Sequence, residues 1–136
     1  MTSLVAIAWI GIVVHHSGTL SGTAASIDRN HRVERGWDMI GYHFVIQRDG
    51  SIYSGRPLTK AGAHARTGKP YSRNRTHIGI CLIGRDEFAG PQVAALKALV
   101  GSLRLDYPIK TVERHHERCP GPGLDLESMF GKPDKE

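Results

Sequence analysis

Apolar residues along the chain fall into short runs and one longer stretch with helical spacing. The runs Leu4–Val14 (LVAIAWIGIVV) and Ile78–Gly84 (IGICLIG) are rich in Ile and Val, which is typical of strands buried on both faces of a sheet. Between Pro91 and Pro108, apolar residues recur every three or four positions, at Val93, Leu96, Leu99, Val100 and Leu103. This spacing predicts a helix that begins near Pro91 and stops before Pro108.

Shorter segments predict the remaining elements. Tyr42–Gln47 (YHFVIQ) and the following SIYS are β-prone and are joined by Arg-Asp-Gly, so the three together predict a hairpin. Ser26 is expected to cap a helix that ends at Gly36. Two short elements complete the pattern: a last strand at Ile109–Arg114 and a final helical turn or two at Leu124–Phe130.

The order of these elements favours an α/β fold, because strands and helices interleave along the chain. We expect a central mixed β-sheet flanked by helices. At 136 residues the chain is long enough for one real core and too short for two. Residues 1–136 are therefore expected to form a single domain.

The charge balance favours an anionic partner without identifying it. Lys and Arg number 18 against 13 Asp and Glu, a net charge of +5. Such a balance suits nucleic acid, acidic lipid or an anionic cell-wall polymer. The basic residues are spread along the chain, with local density only at 66–75 and 114–118. They are best interpreted as a solvated surface, and no nucleic-acid partner is expected.

The apolar run at Leu4–Val14 raises the question of targeting. It is about as long as the core of a signal peptide, but no Lys or Arg precedes it. It is also about half of the roughly 20 residues that span a bilayer. We therefore interpret it as a strand and expect no stable membrane insertion. The protein is expected in the cytoplasm of the cell that makes it.

The segment ERHHERCPGPG, residues 113–123, carries the chain's most suggestive chemistry. Histidine and cysteine are preferred zinc ligands, and His115 precedes Cys119 by four positions. The Pro-Gly-Pro-Gly stretch that follows forbids a continuing helix, so the pair is expected where a strand ends in a tight turn. Cys81 differs from Cys119, because its apolar surroundings predict a small buried side chain.

A second histidine pair strengthens the zinc interpretation. His15 and His16 end the first predicted strand, as His115 and His116 end the last one. If these strands are neighbours, one histidine from each pair can face the same point and form a His-His-Cys set with Cys119. Strand alternation does not choose within either pair, because the neighbouring residues are mixed in polarity.

Several segments together resemble a known family. They are IVVHHSGT, RGWDMIGYHFVIQRDGSIYSGRP, GAHA, NRTHIGICLIG and HHERCPGPGLDL, in this order from about Ile12 to Leu126. They resemble the zinc-dependent N-acetylmuramoyl-L-alanine amidases of type 2, which include amidase-type phage lysozymes and animal peptidoglycan recognition proteins. The resemblance implies a zinc site in a cleft at the strand ends and hydrolysis of the amide between N-acetylmuramic acid and L-alanine.

The resemblance also assigns roles residue by residue. It implies zinc ligands at His15, His115 and Cys119, and a catalytic tyrosine at Tyr42. The positions that match the border and wall of the substrate cleft are His43, His64, Asn74 and Thr76. The long segment Arg56–Thr76, which has no clear period, is also of a length that usually carries function.

The chain departs from the family pattern just before the cysteine. Phage relatives carry a longer loop there, with an assisting lysine two residues before the cysteine. Here Glu117 occupies that position and Arg118 is adjacent to Cys119. Arg118 is the candidate for the missing positive charge, although a guanidinium does not donate protons as a lysine does.

Two other functions fit the same resemblance. One is a peptidoglycan recognition module without activity, but such members generally lack a metal ligand. The other is an amidase of soluble anhydro-muropeptides in cytoplasmic wall recycling. The short chain without an added wall-binding domain favours an endolysin, which is expected to be a monomer and to act on the wall after release.

Overall fold

The computed structural model describes residues 7–65 and 73–132. Its strands are β1 (Gly11–His16), β2 (Phe44–Ile46), β3 (Ile52–Ser54), β4 (His77–Leu82) and β5 (Thr111–Arg114). Its α-helices are α1 (Ala24–Arg29), α2 (Gly90–Asp106) and α3 (Leu126–Phe130), with a π-helical turn at Asn30–Glu34 and a 3₁₀ turn at Arg73–Arg75. None of the helices among these residues is long and apolar enough to cross a membrane.

The strands form one sheet in the order β3-β2-β4-β1-β5. β1 pairs in parallel with both β4 and β5, β2 pairs in parallel with β4, and β3 runs antiparallel to its neighbour β2. The predicted α/β fold with a mixed sheet is confirmed. The adjacency of β1 and β5 matters most for function, because one histidine pair ends β1 and the other directly follows β5.

The two faces of the sheet bury different sets of side chains, because residues alternate between faces along each strand. Ile12 and Val14 of β1 pack with Ile80 of β4 and with α2 in the larger core cluster. The opposite face carries Cys81 and Val45 against α1 in a smaller cluster. His15 is paired with Cys81 in the β1–β4 register, so it lies on this second face.

Most predicted element boundaries differ from the structure by one or two residues, and the differences at β1 and α1 are larger. β1 starts at Gly11, and Leu4–Ala6 of the apolar run lie outside the described residues. The cap of α1 is Thr23, with Ser26 completing a reciprocal capping box at the third helical position. The hairpin of β2 and β3, the long helix α2 and the short α3 lie within one or two residues of their predicted bounds.

Candidate metal centre and cleft

His15, His115 and Cys119 meet at the carboxyl end of the sheet. Each contributes one potential ligand atom, and the three atoms lie within 4.8 Å of one another. His15 Nδ1 is 3.9 Å from Cys119 Sγ, and the rings of His15 and His115 have centroids 4.5 Å apart. Two imidazoles and a thiolate are a donor set that suits zinc. The side chains present therefore fit the metal that the sequence predicts.

The strand register and the packing of β1 against α2 together explain which histidine of each pair faces the cluster. Val14 of β1 is paired with Arg114 of β5, so the residues that follow, His15 and His115, lie at the same level. His15 is 1% exposed on the face opposite α2. Alternation turns His16 to the other face, where its ring lies near Gly121. Because Ile12, Val14 and Val112 pack in the core cluster with α2, the first histidine of each pair lies on the opposite face, where Cys119 is.

Cys119 is placed by a tight turn after β5. His116 and Cys119 exchange backbone hydrogen bonds of 3.1 and 3.0 Å across the two-residue loop Glu117-Arg118. The Arg114 guanidinium donates to the carbonyls of Pro120, Gly121 and Leu124. Because the backbone of this two-residue loop is bonded at both ends, the thiol of Cys119 is held beside His15.

Arg73 secures the other side of the same strand end. Its guanidinium donates to the carboxylate of Glu113 at 3.0 Å and to the carbonyls of Arg114 and His115. Glu113 also accepts from Thr111 at 2.8 Å, and its neighbours, chiefly His77, hold its pKa at about 2. The backbone of His115 is therefore positioned by a charged network, although its ring is only half-buried.

Burial keeps the ligand side chains in particular protonation states. It lowers the pKa of His15 well below the ordinary value, with a smaller contribution from His64. Burial and the neighbouring His116 lower the pKa of His115 to about 4. Burial raises the pKa of Cys119, against an opposing hydrogen bond from the His16 backbone and the charge of Arg114. Both imidazoles are thus neutral at pH 7, which is the form that binds metals.

His64 lies directly behind the cluster. Its Nδ1 is 2.9 Å from His15 Nε2, and its Nε2 is 3.0 Å from the carbonyl oxygen of His77. The Asn74 side-chain oxygen accepts hydrogen bonds of 2.7 Å from the backbone amides of both His64 and Ala65. Asn74 therefore holds the turn that carries His64, which is a contact that the sequence did not reveal.

His43 and Thr76 were also predicted to border the cleft. His43 is 1% exposed, accepts from the Gly79 amide at 3.0 Å, and is 2.9 Å from the Lys60 carbonyl. Burial lowers its pKa to about 4. Thr76 is half-buried, and its hydroxyl is 2.7 Å from His77 Nδ1. Both side chains are bonded within the fold, and their predicted substrate contacts stay predictions.

Tyr42 stands at the wall of an open cleft beside the cluster. Its ring centroid is 5.1 Å from that of His15, and burial raises the pKa of its hydroxyl. The cleft has a volume of about 340 Å³, and Arg35 lines both this cleft and a second recess of about 450 Å³ that reaches His115. Side chains from both recesses that the sequence did not single out are Ser17, Asn30, His31, Arg35 and Trp37.

Arg118, the second predicted catalytic residue, is exposed at the tip of the Glu117-Arg118 turn. Its backbone amide donates to His116 Nδ1 at 3.1 Å, which shapes the turn. The structure brings Tyr42, His64 and Asn74 around the three ligands and leaves Arg118 at the rim.

Comparison with known proteins decides the family. The family model described as N-acetylmuramoyl-L-alanine amidase matches residues 7–122. The chain belongs to the N-acetylmuramoyl-L-alanine amidase family. Among curated relatives, the endolysin of Escherichia phage T7 is 33% identical over 133 residues, covering 89% of this chain and 85% of that protein. Peptidoglycan recognition protein 1 of Bos taurus is 36% identical over 135 residues, covering 88% of this chain and 68% of that protein.

Solved structures agree with this family. The N-acetylmuramoyl-L-alanine amidase LysC of Clostridium intestinale has a TM-score of 0.78 and 34% identity, covering 94% of this chain and 87% of that one. Drosophila PGRP-LB has a TM-score of 0.77 and 28% identity, covering 91% and 82%. The amidase assignment, the fold and the likeness to phage endolysins are confirmed, and the protein is an amidase that lyses peptidoglycan.

Proposed function

We propose that this amidase binds one zinc ion through His15, His115 and Cys119 and acts as an endolysin. The observation that carries the proposal is the convergence of three ligand atoms within 4.8 Å, from two strand ends and one turn. The family is generally zinc-dependent, which supports the same metal. Zinc bound by such a set acts as a Lewis acid and lowers the pKa of water toward about 7, which makes hydroxide available at neutral pH.

Tyr42 is proposed to stabilise the negative charge that develops on the amide oxygen of the substrate. Its hydroxyl keeps its proton at neutral pH because burial raises its pKa. A donor held in place before the reaction needs no reorganisation when the charge develops. Arg118 is proposed to add positive charge from the rim of the site. Neither residue supplies the proton that the departing amine of L-alanine needs.

The cleft is proposed to hold a muramyl peptide. His64 and Asn74 line the recess that reaches His115, and this position supports their proposed contacts with the substrate. A point mutant of Drosophila PGRP-LB, 27% identical over 94% of this chain, is described in complex with tracheal cytotoxin. That ligand supports a peptidoglycan fragment here, and contacts from His43 and Thr76 remain part of the proposal.

The endolysin role is supported by the curated phage relatives, which are of similar length. The chain covers 85% of the endolysins of Klebsiella phage KP32 and Escherichia phage T7. We propose that the protein acts as a monomer on the cell wall after release from the cytoplasm of the producing cell. No nucleic acid takes part in this proposal.

The test is digestion of purified peptidoglycan by zinc-loaded protein, chelator-treated protein and Cys119→Ala protein. We expect new L-alanine amino termini without new reducing sugar ends, and only with the zinc-loaded protein. Equal release by all three samples would contradict the zinc site. Parallel assays on intact sacculi and on soluble anhydro-muropeptides test the endolysin role, which is wrong if only the soluble substrate is cleaved.

A further inference from the structure

A buried histidine behind the metal cluster is bonded at both ring nitrogens. His64 Nε2 lies 3.0 Å from the carbonyl oxygen of His77, and a carbonyl only accepts. His64 Nε2 must therefore carry a hydrogen. The residue is 9% exposed, and burial disfavours a second proton on its ring. His64 Nδ1 therefore carries no hydrogen and can only accept a hydrogen bond.

The lone pair on His64 Nδ1 determines the protonation of His15. His64 Nδ1 is 2.9 Å from His15 Nε2, so His15 Nε2 is the donor in that bond. A neutral imidazole carries one ring proton, which leaves His15 Nδ1 unprotonated. That atom is the one 3.9 Å from Cys119 Sγ. The hydrogen-bond chain from the His77 carbonyl therefore ends in a free lone pair directed into the ligand cluster.

Two glycines create the space in which the His64 ring is held. A Cβ on Gly79 would lie 2.5 Å from Cδ2 and Cγ of His64, and a Cβ on Gly62 would come at least as close to its Cδ2. Both approaches are closer than any normal contact between carbons. The Asn74 side chain, by its two bonds of 2.7 Å, holds the backbone at His64 and Ala65. The ring is therefore confined on both sides and at its base.

We propose that His64 is a positioning residue that fixes the tautomer of His15, so that His15 presents Nδ1 to the metal. This inference rests on the proposed zinc function. It differs from the substrate contact that the resemblance implies for His64. A partner of this kind, bonded to the remote nitrogen of a ligand histidine, typically contributes about 10–100-fold to metal affinity.

The first test reads the tautomer in the metal-free wild-type protein. Histidine-selective ¹⁵N NMR reports which ring nitrogen carries hydrogen, and a His15→Gln variant assigns the signals. We expect both His15 and His64 to carry the hydrogen on Nε2. A His15 ring protonated at Nδ1 would overturn the inference, whatever the zinc affinity proves to be.

The second test compares two substitutions of similar shape. His64→Asn keeps an acceptor near the position of Nδ1, whereas His64→Leu removes it. Zinc affinity is measured by competition with a chromophoric chelator. We expect about a 10–100-fold loss for His64→Leu and recovery of most of that loss for His64→Asn. Equal affinities for the two variants would overturn the inference.

Further variants distinguish a failure of this inference from a failure of the proposed zinc site. Val100→Ala removes buried atoms from the core cluster at α2, on the sheet face opposite His64, and leaves the His64 bonds in place, so its zinc affinity should equal that of the wild type. If the wild-type protein and Cys119→Ser bind zinc equally, the proposed zinc site is wrong. The tautomer of His15 is then still decided by the NMR measurement on the metal-free protein. Thermal melts show whether His64→Leu is folded. If it is not, the inference is tested by the NMR measurement of the His15 tautomer in the wild-type protein.

Discussion

The two histidine ligands of this amidase are positioned by opposite means. His15 is buried in the sheet, and its remote ring nitrogen is bonded to His64. His115 is half-buried, and its position is set through its backbone by Arg73. The buried ligand is thus oriented through its ring and the more exposed ligand through its main chain.

This difference follows from where each ligand lies. The end of β1 is covered by packed side chains, so an unpaired ring nitrogen there would be costly, and a partner is required. The turn after β5 lies at the surface, where water can satisfy side chains but not fix a loop. Arg114 and Arg73 do so instead, through bonds to backbone carbonyls. Substitutions at His15 and at His115 should therefore differ in their effect on the stability of the fold.

The largest contrast is expected between His15→Ala and His115→Ala. Both variants should lose zinc and reduce lysis to background. In the metal-free proteins, His15→Ala should lower the free energy of unfolding by about 2–4 kcal/mol, because it leaves a cavity and an unpaired His64 nitrogen. His115→Ala should cost less than about 1 kcal/mol. Urea unfolding in the presence of chelator measures both, and equal losses would refute the contrast.

The next largest effect is expected from Gly79→Ala. The added methyl group would meet the His64 ring at 2.5 Å and displace it. We expect zinc affinity to fall about 10–100-fold and stability to fall by about 1–3 kcal/mol. Gly101→Ala is the matched control, because nothing lies within 4 Å of its Cβ and a helical position gains about 0.5–1 kcal/mol from alanine. Unchanged zinc affinity in Gly79→Ala would show that the ring is not confined.

Much of this arrangement was predictable from the sequence. Two predicted strands that each end in a histidine pair raised the hypothesis of a shared site if the strands are neighbours, and β1 and β5 are paired. The choice of His15 over His16 was not predictable from periodicity. It depends on which face of β1 packs against α2, and alternation alone does not identify that face.

The surroundings of the ligands were less predictable. His31, Arg35 and Trp37 reach the cleft from a π-helical turn and the loop after it, a geometry that has no clear sequence signal. The bonds of Asn74 to the His64 turn are tertiary contacts across ten residues. The family resemblance located the Asn74 and His64 positions but not what they contact.

Acid should lower the stability of the fold around the buried side chain of His43. The pKa of His43 is lowered from 6.5 to about 4 in the folded state. Its neutral form therefore contributes stability above about pH 6.5, and this is lost as the pH falls toward 4. The loss is about 1.4 kcal/mol per pH unit for one proton, or on the order of 2 kcal/mol between pH 6.5 and pH 5.

This dependence can be isolated by comparing two variants of neighbouring buried positions. In metal-free protein between about pH 7.5 and 5, the unfolding free energy of His43→Gln should fall less steeply than that of the wild type. Val45→Ala also removes buried atoms but no titrating group, so it should lower stability equally at each pH. Parallel curves for the wild type and His43→Gln would contradict the assignment.

The smallest effect is expected at the exposed rim, from Arg118→Ala. The guanidinium stands on a solvated two-residue turn, and an exposed charge contributes up to about 1 kcal/mol, or roughly fivefold in rate. We expect kcat for muramyl peptide hydrolysis to fall by about that factor at low salt and by less at high salt. Arg118→Lys should retain most of the rate, because it keeps the charge. Glu117→Ala, on the same turn, is the control for disturbance of the loop. Full turnover by Arg118→Ala would remove Arg118 from the catalytic residues and leave Tyr42 as the one proposed donor.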